Sequence, residues 1–305
     1  MNKFQSLFVA ISVLVFSVLC ANAFASVIPI KPVAISNQMD AWADHLVTTV
    51  KQLKASGQYP ATGYAECAEA TELANAFVCF HDSPLNMNHA LVRASIFSEG
   101  TSGVHAGTVI RFSSSAYQQG VNSILGHDIP STNLVNFYKS VLQLCQQSNG
   151  NSDVCPSPSE KEFFEKFVGP VASQHPIFVV ITTTFARSVT YVEIVSHEIM
   201  HGQYFLLAPY RATVDTFWKG MAEQDKQRVR QLLSGYDTTN DFVMRNEFQA
   251  YLLMAGGENE QLGSMIPKFR APLTQALNQA GTPPIQVIGH GFMVSPEARA
   301  VPHKL

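Results

Sequence analysis

The sequence predicts an α+β protein whose main part is one large domain. Residues 177–185, Ile-Phe-Val-Val-Ile-Thr-Thr-Thr-Phe, are rich in β-branched and aromatic side chains and form the strongest strand candidate. Residues 192–207 follow closely, contain no proline and repeat apolar residues at spacings of three and four, which indicates a largely buried helix. The chain has 305 residues, of which 46% are hydrophobic and 14% charged, so it is long enough for an extensive core.

Residues 1–25 have the layout of an export signal. Lys3 supplies a positive start, residues 7–20 an apolar core, and residues 21–25 the small side chains of a cleavage site. The signal resembles the bacterial kind, so we expect a periplasmic or secreted protein with no membrane anchor once the signal is removed. The formal net charge of −3 indicates no basic surface for nucleic acid.

Four cysteines remain after this signal, an even number in an oxidising compartment, which predicts two disulfides. Three pairings are possible. We favour Cys67–Cys79 and Cys145–Cys155, because each closes a short loop. A cysteine-ligated zinc is the competing interpretation, but the chain has no C-x-x-C spacing.

The main domain is expected to span residues 26–260, and residues 26–84 form its N-terminal part, which combines a helix with the first disulfide. Apolar side chains share one face of a helix over residues 37–54, which ends near Gly57. Strands are predicted at residues 91–98 and 107–112, and helices at 116–125, 133–147 and 160–167, with a disulfide-closed loop at 147–159.

The C-terminal third is predicted to be mainly helical. Pro209 ends the buried helix, and one or two helices follow over residues 210–233. Asn240 or Asp241 caps another helix that runs to Met254. Residues 261–305 contain six prolines and are expected to form a Pro-rich extension packed on the domain, with one helix around residues 272–280.

The buried helix carries His197-Glu198-Ile199-Met200-His201. The two histidines are four residues apart, so their imidazoles lie one above the other on one face. Two such nitrogens can hold one Zn²⁺ at about 2.0–2.1 Å each, and Glu198 projects beside them, where it can accept a proton from a metal-bound water. Burying these polar groups without a partner would be costly, which favours a metal site over a purely structural helix.

This H-E-x-x-H motif resembles the signature of the zincin superfamily of zinc peptidases. The metzincin form is excluded, because Tyr204 and Leu207 stand where that form requires a glycine and a third histidine. The resemblance implies a mixed sheet packed on the motif helix and a helical lower half. It also implies peptide hydrolysis by zinc-activated water with Glu198 as general base. Residues 177–185 are then either the edge strand that pairs with substrate or a central strand.

The third metal ligand is expected from a second motif, similar to the N-E-x-x-[SA]-D of gluzincins. Residues 246–251 read Asn-Glu-Phe-Gln-Ala-Tyr, so the resemblance makes Glu247 the third ligand. Tyr251 replaces the aspartate that buttresses a ligand histidine. Asp237, Asp241 or a backbone carbonyl would have to take over that role.

For the third metal ligand and for the oxyanion donor, the sequence offers several candidates. Asp215 is a second candidate for the third ligand, and His290 or His303 could also complete the site. The developing oxyanion needs a hydrogen-bond donor. The candidates are Tyr204, Tyr210, Arg211 and Tyr251.

The leading hypothesis is an exported zinc metallopeptidase acting on a peptide or protein substrate. A second hypothesis keeps the zinc but changes the substrate to cell-wall peptides or another non-protein amide. A third is a catalytically silent binding protein that retains the helix as scaffold. The complete triplet of His197, Glu198 and His201 argues against the third, because a silent relative has no chemical need for Glu198.

Overall fold

The computed structural model describes residues 32–184, 191–254 and 262–287. Outside these ranges lie the predicted export signal at residues 1–25, the candidate ligands His290 and His303, and the glycines expected to end the helix after Met254, Gly256 and Gly257. Among the helices of the described residues, none has the length and apolar character needed to cross a bilayer.

The described strands form one mixed four-stranded sheet. Its strands are β1 (Ala65–Glu69), β2 (Ala76–His81), β3 (His127–Pro130) and β4 (Val179–Thr184), in the spatial order β1-β2-β4-β3. β4 pairs in parallel with β2 and antiparallel with β3, and β1 pairs antiparallel with β2. The strongest predicted strand is therefore a central one, which explains its fully buried residues, and β3 is the edge strand on that side.

Helices cover both faces of the sheet. Their bounds are α1 Met39–Ala55, α2 Pro84–Glu99, α3 Ser115–Ser123, α4 Ser131–Gln147, α5 Pro158–Phe163, α6 Gly169–Gln174, α7 Tyr191–Leu206, α8 Ala208–Gly220, α9 Glu223–Leu232, α10 Asp241–Leu253 and α11 Met265–Gln279, with a π-helical turn, Phe164–Val168, between α5 and α6.

Alternation along β4 divides the core in two. Val179 and Ile181 belong to the cluster that includes residues of α7, α8 and α10, whereas Val180 belongs to the cluster with residues of α2 and α4. Gly202 allows α7 to approach the first face closely, because a Cβ there would lie only 3.1 Å from Ile181 Cδ1. This contact holds the motif helix directly against the centre of the sheet.

Two predicted strands are wrong. Residues 91–98 lie within α2, whose N-terminus is set by Pro84 and by Ser83, which accepts a hydrogen bond from the Asn86 amide. This helix buries residues on two sides, so its apolar run resembles a strand in the sequence. Residues 107–112 form a loop, in which the Ile110 carbonyl accepts a hydrogen bond from Arg93 Nε instead of from a neighbouring strand.

Most of the other elements match the prediction. The helices expected at residues 37–54, 133–147, 192–207 and 241–254 correspond to α1, α4, α7 and α10. Both predicted disulfides are present, with S–S distances of 2.03 Å for Cys67–Cys79 and 1.96 Å for Cys145–Cys155. The last helix begins earlier than expected, because α11 continues through Pro272.

Candidate metal centre

The two motif histidines face each other on α7. Their Nε2 atoms are 3.1 Å apart, and His197 and His201 are only 9% and 1% exposed. Burial lowers the pKa of His197 to about 3 and that of His201 to about 4. Both rings are therefore neutral at physiological pH, which leaves a nitrogen lone pair on each for a metal.

Helix α10 brings Glu247 to the same point. Its carboxylate lies with Oε2 3.6 Å from His197 Nε2 and Oε1 3.7 Å from His201 Nε2. The helix is fixed at its N-terminus by Asn240, whose side chain accepts a hydrogen bond from the Phe242 amide. The structure thus brings together the three residues that the two sequence motifs single out.

The donor set fits a divalent cation. Ligand atoms of His197, His201 and Glu247 all lie within 4.8 Å of one another. Within the described part of the chain, Glu247 Oε2 has no hydrogen-bond partner, although the residue is only 1% exposed. A buried carboxylate oxygen without a donor is costly, and a cation among the three groups would satisfy it.

The general-base candidate, Glu198, also lies close to His201. Ligand atoms of Glu198, Asp128 and His201 form a second group within 4.8 Å. Burial raises the pKa of Glu198, the charges of Glu99 and Glu247 raise it further, and a hydrogen bond with Asp128 opposes the rise. A carboxylate with a raised pKa is a better proton acceptor in catalysis at neutral pH.

Gly126 makes room for this carboxylate. A Cβ at position 126 would lie 2.5 Å from Glu198 Oε1 and 2.5 Å from Ile194 Cγ2. Only glycine allows the loop before β3 to pass so close to α7.

Two tyrosines, Tyr236 and Tyr251, lie near the candidate ligands. The Tyr251 ring lies 4.3 Å from the His197 ring, and its hydroxyl is 3.1 Å from that of Tyr236. Tyr236 in turn hydrogen-bonds Glu247, and burial raises the Glu247 pKa while this bond and His201 oppose the rise. Tyr251, which stands where the similar gluzincin motif has an aspartate, therefore lies against His197.

The expected substitutes for that aspartate lie elsewhere. Asp237 contacts His105 Nδ1 at 3.2 Å and accepts a hydrogen bond from Thr239, and Asp241 pairs with Arg230. Neither forms a described contact with His197 or His201.

The remaining candidates are also engaged away from the centre. Asp215 pairs with Arg245 at 2.8 Å and accepts a hydrogen bond from the Tyr204 hydroxyl, so it is not part of either metal-ligand group. Tyr210 donates a hydrogen bond to Gln249 Oε1, and Arg211 Nη1 donates to the Phe205 carbonyl. Of the four proposed oxyanion donors, Tyr251 is the one whose ring contacts a ligand histidine.

Sequence reasoning missed three residues of this pocket: Glu99, Asp128 and Tyr236. They come from the end of α2, from β3 and from the segment before α10, and none belongs to a motif. The only sequence feature that could have indicated one of these three residues is the acidic Asp128 directly before the apolar Ile129, in a short strand.

Comparisons of this chain with protein-family models, with curated proteins and with solved structures found no match. The geometry of this pocket is therefore the observation from which a function can be inferred.

Proposed function

We propose that this protein is an exported zinc-dependent metallopeptidase. The observation that carries the proposal is the buried meeting of His197, His201 and Glu247, with Glu198 on the next position of the same helix. Two imidazoles and one carboxylate form the ligand set of catalytic zinc sites, in which a fourth position stays open. Structural zinc sites instead take four protein ligands.

Zinc bound by these residues would polarise a carbonyl oxygen and make water acidic enough to ionise near neutral pH. The protein's own groups supply the rest of the chemistry. Glu198 accepts a proton from the attacking water at its carboxylate and returns it to the leaving amine. In this proposal Tyr251, whose ring lies beside His197, donates a hydrogen bond to the charge that develops on the scissile carbonyl oxygen.

Tyr236 has a supporting role in this proposal. Its hydroxyl hydrogen-bonds the Glu247 carboxylate, which holds the third ligand in the orientation that the two histidines require. The same tyrosine contacts the Tyr251 hydroxyl, so it couples the ligand to the proposed oxyanion donor.

The two disulfides agree with a compartment outside the cytoplasm. Together with the predicted signal at residues 1–25, they support export to the periplasm or the medium. The substrate class that follows is a peptide or protein in that compartment.

The test compares Glu198→Gln with the wild type in zinc content and in cleavage of a broad peptide library. We expect the variant to keep zinc, because Glu198 is not one of the three ligands, and to lose cleavage. Glu193→Gln is the matched control, because it makes the same change five residues earlier on the same helix at a half-buried position, and it should retain both properties.

Two outcomes would contradict the proposal. If wild-type protein that is purified in the presence of zinc retains none, the proposed metal centre is refuted. Zinc-loaded wild type that cleaves no peptide points instead to another amide, such as a cell-wall peptide, or to a binding protein. Assays with peptidoglycan fragments separate those two alternatives.

A further inference from the structure

One metal ion leaves most of the acidic groups in this pocket unexplained. Four carboxyls interact there: Glu99, Asp128, Glu198 and Glu247. In the ranges that the structure describes, none of them forms an ion pair with a lysine or arginine. The proposed zinc ligands use only Glu247. Buried carboxylates are normally paired with cations, so the other three need either protons or a further cation.

Asp128 is the centre of this acidic group. Ligand atoms of Asp128 and Glu198 lie within 4.8 Å of each other, and the Glu99 carboxyl interacts with both residues. Two carboxyls can approach in this way only if one keeps a proton or if a cation bridges them. The contacts alone do not distinguish the two possibilities.

A second observation favours a cation. Asp128 is only 3% exposed, yet its Oδ2 atom has no hydrogen-bond partner among the described residues. A cation in contact with Asp128 would satisfy this oxygen. A cation beside Asp128 and Glu198 accounts for the unpartnered oxygen as well as for the close carboxyls.

His201 is shared by the two groups of candidate metal ligands. Its Nε2 atom lies 3.7 Å from Glu247 Oε1 and 3.9 Å from Asp128 Oδ1, so the two ligand groups meet at this ring. One imidazole nitrogen binds one ion, and His201 is already assigned to the zinc. The second ion would then be held by carboxylate oxygen atoms and not by this ring nitrogen.

We propose that the pocket binds two divalent cations, the second one held by Asp128 and Glu198. This inference rests on the proposed zinc centre and extends it. An all-oxygen set of carboxylates and water favours a hard cation such as Mn²⁺ or Mg²⁺ over zinc.

The second cation would regulate the first centre. A Glu198 carboxylate bound to a cation is no longer free to accept a proton. Filling the second position therefore lowers hydrolysis, and the occupancy of that position follows the concentration of hard divalent ions in the compartment.

The test measures metal stoichiometry and needs no substrate. The purified protein is stripped of metal with a chelator, loaded with one equivalent of Zn²⁺ and then titrated with Mn²⁺. Binding of Mn²⁺ is measured by calorimetry and by the loss of the electron paramagnetic resonance signal of free Mn²⁺. We expect one further equivalent of Mn²⁺ to bind. Asp128→Asn should keep the zinc but bind Mn²⁺ at least roughly tenfold more weakly, since it loses a charged ligand. Asp44→Asn, which removes the same charge from the exposed face of α1, should bind both ions like the wild type.

Zinc-loaded wild type that takes up no Mn²⁺ overturns the second site and leaves the zinc centre intact. Uptake that is unchanged in Asp128→Asn also overturns it. Wild type that binds no zinc refutes both proposals. If Asp128→Asn does not fold, the stoichiometry of the wild type still decides between one cation and two.

Discussion

Gly126 lies where the loop before β3 passes the motif helix, and alanine at this position should impair hydrolysis without removing the metal. The added Cβ would stand 2.5 Å from Glu198 Oε1, whereas ordinary contacts begin at 3.4 Å. Ile194 Cγ2 would also lie 2.5 Å from the new Cβ, and the Thr182 carbonyl oxygen, 3.1 Å away, belongs to the backbone of β4 and cannot yield. The Glu198 carboxylate therefore has to move by about 0.9 Å.

The size of the effect follows from this displacement. A misplacement of about 1 Å in a catalytic group costs on the order of 10²-fold in rate. Overpacking of this kind also lowers the free energy of unfolding by about 1–3 kcal/mol. His197, His201 and Glu247 are not among the three nearest neighbours of the new methyl group, so we expect zinc affinity to stay within a small factor of the wild-type value.

The assay compares kcat/KM on a cleaved peptide, zinc content and urea unfolding for Gly126→Ala and Gly235→Ala. Gly235 is the matched control, because a Cβ there meets nothing within 4 Å. Full activity in Gly126→Ala would refute the placement of Glu198 as general base. Loss of zinc together with activity would show that the methyl group disturbs the ligands as well.

Three further predictions concern the metal and the core. Tyr236→Phe removes the hydrogen bond to Glu247 and should weaken zinc binding by about 10–100-fold. The control Tyr138→Phe, on α4, should bind zinc like the wild type. If a competition titration gives equal zinc affinities for both variants, Tyr236 does not support the metal site. Zinc present at about a thousandfold excess over its Kd should raise the free energy of unfolding by about 4 kcal/mol, and a chelator should remove this stabilisation. A melting temperature that the chelator does not change would contradict this prediction. Arg93→Met should cost about 3–5 kcal/mol in urea unfolding, because it leaves the buried Glu160 carboxylate, 3.2 Å away, without its counter-charge. Arg111→Met, which breaks an exposed pair with Asp153, should cost about 0–1 kcal/mol, and similar losses in both variants would show that burial of the Arg93 pair is unimportant.

Local patterns were sufficient for several parts of this structure. The spacing of His197 and His201 predicts facing imidazoles on any helix, because four residues make about one turn. The short separation of each cysteine pair predicts the two disulfides, since short loops bring cysteines together most readily. The Asn-Glu motif on α10 was found only because it resembles a known pattern of zinc peptidases.

Local patterns failed where tertiary contacts change the surroundings of a segment. Residues 91–98 have the apolar content of a strand, but they lie in a helix that is buried on two sides. The loop at residues 107–112 has its Ile110 carbonyl satisfied by the buried Arg93 side chain, an interaction between distant positions that no local pattern shows.

The sequence by itself determined the motif helix, its two histidines, the neighbouring Glu198 and the candidate Glu247. Only the tertiary structure decided which further groups share their pocket. β4 lies between β2 and β3, and this order places the edge strand with Asp128 beside α7. Sequence periodicity shows which face of an element is buried, but the electrostatic environment of a side chain depends on distant segments that meet it in space.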